Sequence, residues 1–167
     1  GNNSINLQPY KLRECSPQSM EESTLILIDM IKRQPTLEEI HLSDNEIDDK
    51  VLIKLFKGME EVNDLALKKL YLSQNLIEDQ GAFAIAKFPI SPSARLEELD
   101  LSDNSISDFG LEALSKSLEV NTVLASLSLS KNLISDIGYD ALVSSIQENN
   151  NLGLKRVDLR GQPNFYY

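Results

Sequence analysis

The sequence predicts an α/β solenoid of stacked short repeats, and three observations predict it. The stretch 96–110, LEELDLSDNSISDFG, has the pattern L-x-x-L-x-L-x-x-N-x-I-x-D-x-G. The same template recurs from Leu37, Leu67 and Leu124 and, in weaker form, from Leu7 and Leu154. Its asparagine slot is filled in turn by Cys15, Asn45, Asn75, Asn104, Asn132 and Gln162, spaced 30, 30, 29, 28 and 30 residues apart. A period near 30 along the whole chain means that each repeat is one supersecondary unit that buries its apolar face against its neighbours.

Each repeat reads as a short strand followed by a helix. Leu99 and Leu101 lie two apart and point to one face of a strand, while Glu98, Asp100 and Ser102 point to the other, so one face is core and the other is water. The first strand is expected around Leu7 to Leu12, and the first helix from about Ser19 to Lys32 with Leu25, Ile28 and Ile31 or Met30 at helical spacing, closed by Pro35. The second strand centres on Ile40 and Leu42, and its helix from Asp49 carries Leu52, Leu55, Phe56 and Met59 as an i, i+3, i+4, i+7 stripe. The third centres on Leu70 and Leu72, with a short helix, because Lys87-Phe88-Pro89 and Ser91-Pro92-Ser93 break the pattern and predict an irregular loop over Phe88 to Ser93. Leu111, Leu114 and Leu118 face inward in the fourth repeat, and Tyr139, Leu142, Val143 and Ile146 take equivalent places in the fifth. The sixth frame, from Leu154 to Gln162, reaches a strand only. Phe165, Tyr166 and Tyr167 after it are expected to fold over the last apolar layer as a cap. At the other end, Asn2 to Leu7 resembles Asn149 to Leu154, the link between a helix and its next strand. The expectation is one domain over 1–167, with repeats from near 7, 37, 67, 96, 124 and 154, cut from a longer protein.

An asparagine just after a strand satisfies backbone groups of the turn, so stacked repeats are expected to form an amide ladder inside the solenoid. Just beyond it, Asp49, Asp79, Asp108 and Asp136 share one slot and read as helix N-caps or first-turn acids rather than as a metal site.

The motif resembles the leucine-rich repeat family, which allows Asn or Cys at the asparagine slot, and its period is similar to that of the ribonuclease-inhibitor-like branch. That resemblance implies a curved array with about six parallel strands on the concave face and about five helices on the convex face. It also implies recognition of partner proteins on the concave sheet and a cytoplasmic setting, to which a single cysteine at a core slot, with no disulfide framework, adds weight. The departures, Tyr10 and Val157 for Leu, Gln162 for Asn, Pro17 for Ile and Val51 or Glu21 for Gly, lie mainly in the end repeats.

Charge and composition narrow the function. A net charge of −10 argues against nucleic acid and anionic membranes and for a basic protein surface as partner. No apolar run is long enough to span a bilayer. The only histidine, His41, lies two strands from Asp100, and Ser43 lies two residues along its own strand, so no catalytic triad forms and no enzyme is expected. One His and one Cys make no zinc site, there is no glycine-rich phosphate loop, and no cofactor or small-molecule substrate is expected.

The outward strand positions are the candidate site. The central column is Lys11, His41, Tyr71, Asp100, Ser128 and Asp158. Two residues earlier stand Pro9, Glu39, Lys69, Glu98, Ser126 and Arg156. Beside the asparagine slot lie Glu14, Asp44, Gln74, Asp103, Lys131 and Gly161. Tyr71 is the only aromatic in these columns and neighbours His41, which makes it the first choice of hot spot. The partner-binding set is His41, Tyr71, Glu98, Asp100, Asp103, Lys69 and Glu39. The alternatives to a non-catalytic recognition module are a GTPase-activating protein similar to the Ran GTPase activator and an actin-filament regulator resembling tropomodulin or leiomodin.

Overall fold

The computed structural model describes residues 3–6, 17–88, 95–148 and 153–163. Strands and helices alternate along the chain: β1 Ser4–Asn6, α1 Pro17–Lys32, β2 Glu39–His41, α2 Asp49–Glu60, β3 Lys69–Tyr71, α3 Asp79–Lys87, β4 Glu98–Asp100, α4 Asp108–Leu118, β5 Ser126–Ser128, α5 Asp136–Glu148 and β6 Arg156–Asp158. The six strands form one parallel sheet in sequence order, β1-β2-β3-β4-β5-β6. Consecutive parallel strands must be joined by a crossover, and here each helix supplies one.

The expected interior rows are present. Ile40, Leu70, Leu99 and Leu127 are in register and buried, and Leu42, Leu72, Leu101 and Leu129 are each 0% exposed. In the fourth repeat Leu96, Leu99, Leu101, Ile106, Leu111, Leu114 and Leu118 are all buried. At roughly 2 kcal/mol for each buried leucine, this layer offsets the ordering of its own backbone only because the layers on either side keep water from it.

The amide ladder runs through the core. Asn104 Nδ2 donates to Leu72 O at 3.0 Å in the preceding repeat and to Leu101 O at 3.1 Å in its own, while its Oδ1 accepts from Ile77 N at 3.0 Å. Asn75 and Asn132 repeat this geometry, and Gln162 does the same work, its Nε2 donating to Leu129 O at 2.7 Å and its Oε1 accepting from Ile134 N at 3.0 Å. Asn45 Oδ1, the first acceptor, is buried without a hydrogen-bond partner.

A second ladder joins the helix starts, and the sequence reading did not foresee it. The N-caps are Asp48, Glu78 and Ser107, so Asp49, Asp79 and Asp108 stand one residue inside their helices. Each reaches into the next repeat. Asp79 Oδ1 accepts from Ser107 N at 2.8 Å and Gly110 N at 3.0 Å, and its Oδ2 accepts from Ser107 Oγ at 2.7 Å. Asp49 accepts from Glu78 N, and Asp108 from Ser135 N and Oγ. This explains the glycine of the template: a Cβ on Gly110 would lie 2.6 Å from Asp79 Oδ1, and one on Gly81 or Gly138 would run into Asp49 or Asp108.

Three expectations need correction. The first strand is Ser4–Asn6, not Leu7 to Leu12, with Ile5 opposite Ile40 and Asn6 opposite His41. Asn3 O anchors this register by accepting from Glu38 N and Glu39 N, and Ile5 supplies the inward apolar residue. Asn6 therefore holds the place beside His41 that was assigned to Lys11. The stretch 7–16, with Cys15, and the terminal aromatics lie outside the described residues, as do 89–94 of the expected loop. In α1 the inward stripe is Thr24, Leu27, Ile28 and Ile31, and Leu25 is 51% exposed. In α5 Gly138, Leu142 and Ser145 face inward and Tyr139 is 51% exposed, because the position packed beneath Asp108 has room only for glycine. Phe88 caps the end of α3 where the expected loop begins, and its ring packs on Phe56 at 5.5 Å.

Truncating Asn104 to Ala leaves Ile77 N buried without its acceptor and removes one of the two amide donors from each of Leu72 O and Leu101 O, which keep Asn75 and Asn132; the loss is expected to cost about 3 kcal/mol by urea unfolding. Gly138→Ala is expected to cost about 2 kcal/mol, and less in an Asp108→Ala background, with a coupling energy of about 1 kcal/mol in the double-mutant cycle.

Candidate functional site

The outward side chains of three-residue strands make this surface, and the parallel register decides which of them meet. One row across the sheet is Asn6, His41, Tyr71, Asp100, Ser128 and Asp158, and the row before it is Ser4, Glu39, Lys69, Glu98, Ser126 and Arg156. All of these from β2 to β5 are half-buried, the exposure left to side chains standing on a sheet whose other face is core.

Register brings His41 and Tyr71 into a stack with ring centroids 4.4 Å apart and planes 19° from parallel. Around it the charges pair. Lys69 Nζ lies 2.6 Å from Glu39 Oε1, and His41 Nε2 lies 3.5 Å from Glu39 Oε2. The Lys69 hydrogen bond holds the Glu39 carboxyl below its usual range, and Glu39 in turn raises the Lys69 ammonium. Burial raises the Tyr71 phenol, with the nearby Glu98 charge adding to the effect.

The acids on β4 are placed differently. Asp100 Oδ1 accepts from Ser102 N at 2.9 Å and Ser102 Oγ at 2.6 Å, fixing the chain as it leaves the strand. Asp103 lies beyond the strand end, 3.9 Å from Lys131. Five of the seven predicted site residues, Glu39, His41, Lys69, Tyr71 and Glu98, gather around the ring pair; Asp100 stands beside it, and Asp103 sits apart on the rim. His41 and Asp100 are separated by the whole Tyr71 strand, as the spacing implied.

That rim has a feature the sequence reading missed. Asp44, Gln74, Asp103, Lys131 and Gly161, the residue before each ladder amide, all have positive φ, from 53° to 72°. Gly161 and the aspartates adopt this conformation readily, while Gln74 and Lys131 are strained in it. The signal was present in the Asp-Asn and Gly-Gln pairs, but Gln74 and Lys131 masked it. Missed as well were the exposed apolar residues Phe109 and Ile137, 73% and 72% exposed at the second position of α4 and α5.

Among the described residues no group of His, Cys, Asp and Glu is placed to hold a metal ion, and no helix is long and apolar enough to cross a membrane.

Three segments, residues 33–56, 66–86 and 95–115, match the family described as Leucine Rich repeat. Over 93 residues the chain is 30% identical to NACHT, LRR and PYD domains-containing protein 3 of Macaca mulatta and 31% identical to that of Mus musculus. Each match spans 56% of this chain but 9% of the relative's length. Among solved structures, the leiomodin-1 actin-binding site 2 superposes with a TM-score of 0.66 at 19% identity, covering 79% of this chain and 76% of that one. A chain of the TLR13-ssRNA13 complex superposes with a TM-score of 0.51 at 19% identity, covering 95% and 22%. At such identities the likeness shows the fold alone.

At the far end of the sheet Arg160 grips Asp158 through Nε at 2.9 Å and a terminal nitrogen at 2.7 Å, which lowers the Asp158 carboxyl from 3.8 to about 2. A depressed carboxylate stabilises the fold above its unfolded pKa and loses that contribution as pH falls toward its folded value. The carboxyl carbon of Asp158 is therefore expected to titrate by NMR with a midpoint near 2, moving back toward 3.8 in Arg160→Ala.

Proposed function

We propose, from the premise that this chain is an array of leucine-rich repeats, that it is a protein-recognition module holding a partner protein against its concave sheet. The observation that carries the reading is the His41–Tyr71 stack, an aromatic slab fixed by its neighbours and bordered by Glu39, Lys69, Glu98 and Asp100. Rigid aromatics in a surface of paired and unpaired charges supply contact area at little ordering cost. Asp103 extends the acidic side of the surface. With a net charge of −10, the preferred partner surface is basic, and nucleic acid, membrane and small-molecule substrates are not part of the reading. The module works by shape and charge complementarity and is not an enzyme.

Repeat periods of 28–30 residues and one helix between successive strands support assignment to the ribonuclease-inhibitor-like branch, and with it a cytoplasmic setting. Relatives that carry such repeats beside NACHT and PYD domains support a setting in which this single domain, residues 1–167, works as one part of a larger protein.

The leiomodin-1 likeness favours a second reading, an actin-filament regulator. Co-sedimentation with filamentous actin separates the two, since a general recognition module stays in the supernatant.

The variant combining Tyr71→Ala with Glu98→Lys, Asp100→Lys and Asp103→Lys is expected to abolish capture of partners, measured by quantitative mass spectrometry of material retained on the immobilised domain. Its circular dichroism should stay unchanged. Glu60→Lys with Asp140→Lys, exposed on α2 and α5, should capture normally. The reverse pattern would move docking to the helices.

A further inference from the structure

Three surfaces carry chemistry that the structure leaves unused: the exposed Phe109 and Ile137, the space beside α1 lined by Met20, Glu21, Thr24 and Lys54, and the side of Tyr71 that faces β4. The last is the best determined. His41 occupies one face of the Tyr71 ring. The other face turns toward the next strand, about 4.8 Å away, where register places Asp100 and, beyond it, Ser128. Both are much shorter than tyrosine. The row therefore drops from a tall aromatic wall to a low floor that carries a carboxylate.

The charge balance of the sheet singles out the same place. Glu39 is matched by Lys69 and His41, Asp158 by Arg160, and Asp103 has Lys131 at 3.9 Å. Among the described residues, Glu98 and Asp100 have no cation within ion-pair distance. Asp100 commits Oδ1 to Ser102, and among the described residues no hydrogen bond reaches its Oδ2. Hence two carboxylates without a paired cation flank the open face of Tyr71, Asp100 beside it in the register and Glu98 within reach of the phenol hydroxyl.

We propose that the notch between Tyr71, Glu98 and Asp100 receives an arginine side chain of the partner. A guanidinium entering from above lies flat on the free face of Tyr71, donates to Asp100 Oδ2 and to Glu98, and turns its remaining N–H groups toward Ser128 Oγ. Arginine fits better than lysine because its planar ion stacks on a ring while its fork reaches two acceptors, whereas an ammonium is a strongly hydrated point charge that does neither. This assignment rests on the concave-face reading and gives the recognised surface a specific chemical requirement.

The test uses three blocked pentapeptides, glycine-serine-X-serine-glycine with X as arginine, lysine or the uncharged citrulline, titrated into the labelled domain and followed by NMR. The arginine peptide is expected to give saturable shifts at the Tyr71 ring and the Ser102 amide, with affinity about fivefold above the lysine peptide, and citrulline to give none. Asp100→Asn, which keeps an acceptor for Ser102, and Tyr71→Leu should each remove the arginine preference, while Tyr71→Phe keeps it. Equal binding of arginine and lysine, or shifts centred away from Tyr71, overturns the notch even if the concave quadruple variant still loses its partner. Arginine-selective shifts at Tyr71 with partner capture unaffected by that variant support the notch and overturn the concave-face reading instead.

Discussion

The interaction on which the rest depends is a carboxamide placed between two repeats. From Asn75 onward each ladder amide closes its own turn by donating to the carbonyls that end its strand, and it donates to and accepts from the preceding repeat in the same stroke. Buried polar groups without partners are costly, so a turn in this position is tolerable only if a neighbour is stacked in one register. Parallel pairing, the interior leucine rows and the outward columns all follow from that register. Gln162 shows that the requirement is chemical rather than a demand for one residue type, since its longer arm delivers the same donor and acceptor.

The helix layer is tied by a carboxylate in the same manner. Asp79 binds the backbone of the following helix start where orphan N–H groups and the helix dipole favour a negative charge. With amides on the strand side and carboxylates on the helix side, neighbouring repeats are pinned at two separated points, which limits rocking between them. Glycine at positions 81, 110 and 138 is the steric counterpart of this second tie rather than a source of flexibility.

Much of this was legible in the sequence because the template sets spacing, and spacing sets register. The rows Leu42-Leu72-Leu101-Leu129 and His41-Tyr71-Asp100 needed only that strands pair in order. Phasing failed in the first repeat, where Ile5 replaces the expected leucine and no amide slot follows at the usual distance. Helical periodicity alone placed Leu25 and Tyr139 inward, since it fixes a stripe but not its rotation; tight packing at Gly138 and the buried Thr24 fix that rotation. The second role of the aspartates was hidden because an acid at a helix start already has a sufficient local reason. Pairing of Glu39 with Lys69 was readable from the columns, while the stacking of His41 on Tyr71 required the side-chain geometry.

The left-handed residues beside the ladder have a further consequence. The N–H groups of Asp44, Gln74, Asp103 and Lys131 each donate to the next repeat, to Ser73 O, Ser102 O, Ser130 O and Arg160 O. Their backbone is clamped whatever side chain it bears, and acid, amide and cation all occur there. These sites behave as sockets in a rigid frame: the group displayed can be exchanged while the direction in which it projects stays put, so binding preference can drift without any change in architecture.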